Sequence, residues 1–91
     1  MHAGSIKYIN ELVSIRLLLQ TGKPETARKK AHDLIQTESS SEGHHLLGLA
    51  ELLLGNLEQA TRHLKKAVED NGNIAQYHLN LGEAYRRSND L

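Results

Sequence analysis

A near-repeat of about 34 residues is the feature that most constrains how this 91-residue chain can fold. The dipeptide Leu47-Gly48 recurs one period later as Leu81-Gly82, and the segment that begins at Gly22 recurs at Gly55, just short of a full period. A period of this length is typical of arrays in which each unit buries its apolar face only against its neighbours. The sequence therefore predicts stacked copies of one small unit.

Residues that begin and end helices recur with the same period. Gly22 and Gly55 stand where a left-handed residue ends a helix, and Pro24 stands in a first helical turn, where its missing N–H does no harm. Connections of two to four residues force neighbouring helices to pack antiparallel. We therefore predict an all-α, antiparallel helix-hairpin solenoid of about two and a half repeats, with five helices at roughly 5–21, 24–37, 41–54, 57–71 and 74–88.

The composition argues against several classes of partner. The chain has 11 Lys and Arg, 11 Asp and Glu, and no Cys, so it lacks the basic excess of a nucleic-acid-binding protein and any disulfide or thiolate site. Its longest apolar runs are three residues, too short to span a membrane. We expect neither a nucleic-acid nor a membrane partner, no secretion peptide, and a cytoplasmic location. Residues 1–5 are set aside as a candidate tag or disordered end.

A helix–turn–helix unit of this length resembles the tetratricopeptide repeat family. The resemblance covers nearly the whole chain, as one domain (1–91) with repeats at approximately 8–40 and 41–74 and a truncated repeat at 75–91. The third repeat stops after one helix, so this helix is either a terminal cap of the array or the end of a fragment of a longer array, and we favour the fragment. The first repeat departs from the pattern, with Ser14-Ile15 where the others have Leu-Gly. Signature residues are Gly22, Ala27, Ala31, Leu47, Gly48, Gly55, Ala60, Leu64, Ala67, Leu81, Gly82, Ala84 and Tyr85.

The small residues of this signature predict a close helix crossing. Gly48 and Ala60 are expected to face each other within one hairpin, because small side chains let two helices approach closely. Ala67 is expected to do the same against the next repeat. Bulky substitutions at these positions should therefore overpack the structure.

The resemblance implies a protein-interaction scaffold whose partner, a peptide or an amphipathic helix, lies in a concave groove. The chaperone-binding members hold a terminal carboxylate with Lys and Asn, but here Leu12 and Leu46 occupy two of those places, so we expect no such clamp. The groove is predicted to be largely aliphatic, unless these side chains are core residues. The groove residues carried over from the family are Ile9, Leu12, Val13, Arg16, Leu19, Gln20, Glu42, His45, Leu46, Leu49, Leu52, Leu53, Gln76, Leu79, Asn80, Glu83, Arg86 and Arg87.

Two other functions stay open at this point. One alternative is a homo-oligomerisation module, and the other is an N-terminal regulatory or substrate-recruiting part of a larger enzyme. Within these residues we expect no enzyme activity, catalytic residue, cofactor or metal, since no phosphate loop or nucleophile motif occurs. The adjacent His44 and His45 point about 100° apart on a helix, so we expect His44 to pack rather than to ligate.

Overall fold

The computed structural model describes residues 3–89, and side chains there from residue 6 onward. Those residues form five helices and no strand, which confirms the predicted all-α hairpin fold. Each helix begins and ends within two residues of its predicted first and last positions. Helix α1 starts inside the segment that was set aside as a tag, and residues 1, 2, 90 and 91 lie outside the description. The helices are α1 (Ala3–Gln20), α2 (Pro24–Thr37), α3 (Ser41–Leu54), α4 (Leu57–Asp70) and α5 (Ala75–Asn89).

The two glycines that were predicted to end helices have the left-handed backbone conformation that this role requires. Gly22 and Gly55 have φ of +77° and +83°, in the left-handed region that side chains disfavour. After Gly55, the N–H of Asn56 bonds to the carbonyl of Glu51 at 2.9 Å, which closes the end of α3. These ends produce the short connections that hold each hairpin antiparallel.

The five helices form two layers. Each helix packs on the next in sequence, and α1 contacts α3 as α3 contacts α5. Over the described part of the chain, α2 and α4 do not contact each other. The stack therefore curves with α1, α3 and α5 on its concave side. We call the surface of these three helices that faces away from α2 and α4 the inner face.

The core consists mainly of Leu and Ala in two clusters. Burying these side chains stabilises the fold by about 25 cal/mol for each Å² of apolar surface removed from water. The first cluster joins the first three helices, and the second joins α3, α4 and α5. Their buried members are Ile15, Ala27, Ala31, Leu46, Leu47 and Ala50 in the first, and Leu52, Ala60, Leu64 and Ala84 in the second.

The close crossing at Gly48 has a different partner from the one predicted. A Cβ on Gly48 would lie 2.6 Å from Leu64 Cγ and 3.2 Å from the Leu64 backbone nitrogen, so the nearest residue is Leu64 rather than Ala60. In the first hairpin the equivalent positions, one repeat earlier in the sequence, hold Ile15 and Ala31, both 0% exposed. The first hairpin therefore has a large residue on its first helix and a small one on its second, and the second hairpin has the reverse order. Both arrangements fill the space where the helices cross.

Candidate interaction face

One carboxylate joins all three helices of the inner face. Glu42, in the first turn of α3, accepts a hydrogen bond from Arg16 Nη2 of α1 at 2.5 Å. It also accepts one from the Tyr77 hydroxyl of α5 at 2.8 Å. Because both oxygens are engaged from opposite sides, Glu42 fixes the spacing of α1, α3 and α5 as well as adding charge to the surface.

A second polar contact lies beside the first. The side chain of Asn80 lies 2.7 Å from His45 Nε2, and the ring of His45 packs 4.5 Å from that of Tyr77. The Asn80 oxygen accepts from Gln76, so its amide nitrogen is the donor to His45. The neutral imidazole then carries its proton on Nδ1, which is buried and lies 3.5 Å from Glu42, longer than a normal hydrogen bond.

These neighbours keep Glu42 ionised. Burial by itself raises the pKa of the Glu42 carboxyl, but the nearby His45 imidazole and the hydrogen bonds donated by Tyr77 and Arg16 outweigh burial and lower the pKa to about 2. At neutral pH the middle of the inner face therefore holds a fixed negative charge paired with Arg16, whose side chain is half exposed.

The predicted groove leucines divide into two kinds. Leu53 and Leu79 are 56% and 65% exposed and present aliphatic surface. Leu52 is only 5% exposed, because it packs in the second core cluster, and His45 is 6% exposed. Neither Leu52 nor His45 offers much side-chain surface to a partner, contrary to the prediction. Three more predicted groove residues are half-buried against the first core cluster: Leu12, Leu19 and Leu49.

The C-terminal part of the inner face is a charged cluster. Glu83 accepts from Arg86 Nη2 and from Arg87 Nε, both at 2.7 Å, and these bonds lower the pKa of its carboxyl to about 2. Arg87 also donates to the Leu52 carbonyl at 3.4 Å. Arg86 and Arg87, both predicted groove residues, are thus paired with Glu83 within α5.

The inner face is therefore more polar than the sequence predicted. Its middle is the Arg16, Glu42 and Asn80 group, and the exposed aliphatic side chains among the predicted groove residues are Ile9, Val13, Leu53 and Leu79. The first helix of each repeat packs on both neighbours, so most of its leucines are used in the core.

Sequence reasoning missed Tyr77 as a member of this face. Its partner Glu42 lies 35 residues earlier in the sequence, which is one residue more than the repeat period. His45 and Asn80 have the same separation. Polar pairs at this separation are the signal that would have found the cluster.

The histidines do not assemble a metal site in the described residues, where no group of three or more candidate ligands occurs. His44 of α3 and His63 of α4 stack with ring centroids 5.4 Å apart and Nδ1 atoms 3.2 Å apart. Burial lowers the pKa of both imidazoles. The pair lies between α3 and α4 and packs the hairpin, as predicted for His44. His78, by contrast, is exposed, and its Nε2 bonds to the Gly72 carbonyl.

A surface depression lies away from the inner face, between α1 and α2. It measures about 370 Å³ and is open to solvent. Its charged groups are of both signs and show no arrangement of nucleophile and base. The lining residues are Lys7, Glu11, Lys30, Asp33, Leu34 and Thr37. Within residues 3–89, no helix is long and apolar enough to cross a membrane.

Comparison with known proteins gives one match. The family model described as a tetratricopeptide repeat matches residues 41–66, which form α3 and most of α4. No curated protein and no solved structure matches the chain. Repeats of this family generally mediate protein–protein interaction and typically serve as non-catalytic scaffolds. The matched repeat and the stacked helical hairpins together support assignment of the chain to the tetratricopeptide repeat family.

Proposed function

We propose that the chain is a non-catalytic scaffold that holds a peptide or an amphipathic helix of another protein along its inner face. The observation that carries this proposal is the juxtaposition of exposed leucines with a fixed, internally paired polar cluster on the concave side of three helices. A helix laid along such a surface is one of the recurring ways in which proteins recognise peptides.

The chemistry of the face specifies the kind of partner. Leu53 and Leu79 provide exposed apolar contacts, and Arg16 provides guanidinium donors beyond the one that bonds to Glu42. The polar groups between them are already paired, so a partner gains little by competing for them. We therefore propose a partner helix with aliphatic anchors for the leucines and a carboxylate or amide acceptor for Arg16.

The inner face is also held together by side-chain contacts between its own helices. Glu42 links three helices and His45 packs between Tyr77 and Asn80, so the face exists before a partner arrives. A preformed surface avoids the ordering cost that would otherwise reduce affinity. This supports a binding role for the inner face over one for the solvated outer helices.

The test is selection of binding peptides from a displayed library of random helical peptides on the immobilised chain. Selected peptides should lose at least tenfold in affinity for Leu53→Asp and for Leu79→Asp, because each variant places a charge at an apolar contact. Leu17→Asp is the matched control, since Leu17 is 57% exposed and lies outside the predicted groove. Peptides that bind all four proteins equally would contradict the proposal.

A further inference from the structure

Helix α1 carries a second apolar surface, on the side that neither α2 nor α3 covers. Ile6, Ile9, Val13 and Leu17 are 58%, 54%, 52% and 57% exposed. Their spacing of three, four and four residues places them on one face of the helix, opposite the fully buried Ile15. We call these four residues the α1 stripe. A helix that is apolar on both faces is normally buried on both.

The repeat register shows what this position does elsewhere in the chain. Val13 and Leu17 correspond, one repeat later, to Leu46 and Ala50 of α3, which are 1% and 0% exposed. Those two residues belong to the core cluster that α1 and α2 complete. Val13 and Leu17 of the α1 stripe are therefore packing positions of the same kind, and among the described residues nothing covers them.

We propose that the α1 stripe is a homodimer interface, in which α1 packs antiparallel against α1 of a second copy. In that arrangement Ile6 lies opposite Leu17 of the other copy, and Ile9 lies opposite Val13. The spacing of three, four and four residues is nearly the same read in either direction, so one stripe complements another about a two-fold axis.

Two further observations favour a second copy over a foreign partner. The stripe contains only aliphatic side chains, so it needs no charge complement from another protein. The chain has 11 basic and 11 acidic residues, so two copies approach without net electrostatic repulsion. The stripe shares Ile9 and Val13 with the predicted groove, whereas Leu53 and Leu79 of the inner face lie on α3 and α5. Variants at Leu17 and at Leu53 therefore distinguish a failure of one proposal from a failure of the other.

The first test is solution mass by light scattering over a concentration series. The unaltered chain should reach twice the mass of one chain as concentration rises, and Leu17→Asp should remain a monomer throughout. Leu53→Asp is the matched control, with the same substitution, 56% exposure against 57%, and a position in the last turn of its helix. It should dimerise like the unaltered chain, and circular dichroism should show that both variants keep their helices.

Three results would overturn the proposal. An unaltered chain that stays monomeric leaves the α1 stripe for a foreign helix. A mass that grows beyond two chains indicates head-to-tail association, which a two-fold interface does not allow. If Leu17→Asp and Leu53→Asp lose association equally, the α1 stripe is not the surface through which the chains associate.

The second test uses the lack of cysteine in the sequence. Chains carrying Ile9→Cys and chains carrying Val13→Cys are mixed under mild oxidation, and the products are resolved by mass spectrometry. Antiparallel pairing should enrich the mixed disulfide several-fold over both homodimers, because Ile9 then faces Val13 of the other copy. Enrichment of the two homodimers, or a statistical mixture, would overturn the antiparallel interface.

Discussion

Replacing Gly48 by Ala is expected to lower the free energy of unfolding, whereas the same replacement at Gly82 is expected to raise it. The two glycines occupy the same place in successive repeats. A Cβ at Gly48 would lie 2.6 Å from Leu64 Cγ, 2.9 Å from Leu64 Cδ2 and 3.2 Å from the Leu64 backbone nitrogen. A Cβ at Gly82 would have nothing within 4 Å. The same new methyl group therefore meets two opposite environments.

The magnitude follows from two opposing terms. Ala exceeds Gly in helix propensity by about 0.8–1 kcal/mol, and both variants gain this. Overpacking a filled contact costs about 1–3 kcal/mol, and only the Gly48 variant is expected to incur it, because α4 must move as well as the Leu64 side chain. Gly82→Ala should thus gain up to about 1 kcal/mol, and Gly48→Ala should lie about 1–3 kcal/mol below it.

The assay is urea unfolding followed by circular dichroism at a single protein concentration, because self-association shifts apparent stability by mass action. The slope against urea should be the same in both variants and only the midpoints should separate. On heating, a difference of about 1 kcal/mol corresponds to about 4–8 °C in Tm for a domain of this size. Equal midpoint shifts, with the same sign, at Gly48 and Gly82 would refute the argument that Leu64 fills the space over Gly48.

Two other predictions follow from the contacts already described. The double variant Gly48→Ile with Leu64→Ala copies the Ile15 and Ala31 pair of the first hairpin. Its loss of unfolding free energy, measured in urea, should be smaller by at least about 1 kcal/mol than the sum of the losses in the two single variants. Additive losses would contradict the idea that the two hairpins fill the crossing with the same pair in opposite order. The folded-state pKa of Glu42, about 2, lies below the ordinary 4.5, so its stabilisation is complete above pH 4.5 and is lost as the pH falls toward 2. The loss is at most about 3 kcal/mol, and Glu42→Gln should remove that part of the pH dependence measured by urea unfolding.

The helices and their ends were predictable because their signals are local. Gly22 and Gly55 end helices through backbone freedom, and Pro24 begins one through its fixed φ, so no distant residue is needed. The register also identified the buried Leu47 and Ala60 correctly, since each repeat period brings the same core positions back. The polar middle of the inner face was not predictable in this way, because it depends on side chains that meet across three helices.

The sequence by itself determined the class of fold and the number of helices, through periodicity and turn chemistry, and it carries the match to the tetratricopeptide repeat model over residues 41–66. Only the tertiary structure decided what each equivalent position does. Gly48 and Gly82 are identical in register, yet one is filled by Leu64 and the other is open. Val13 and Leu46 are likewise equivalent, yet one is exposed and the other is core. A repeat pattern fixes which face each residue occupies, but burial depends on whether a neighbouring helix is there to cover that face.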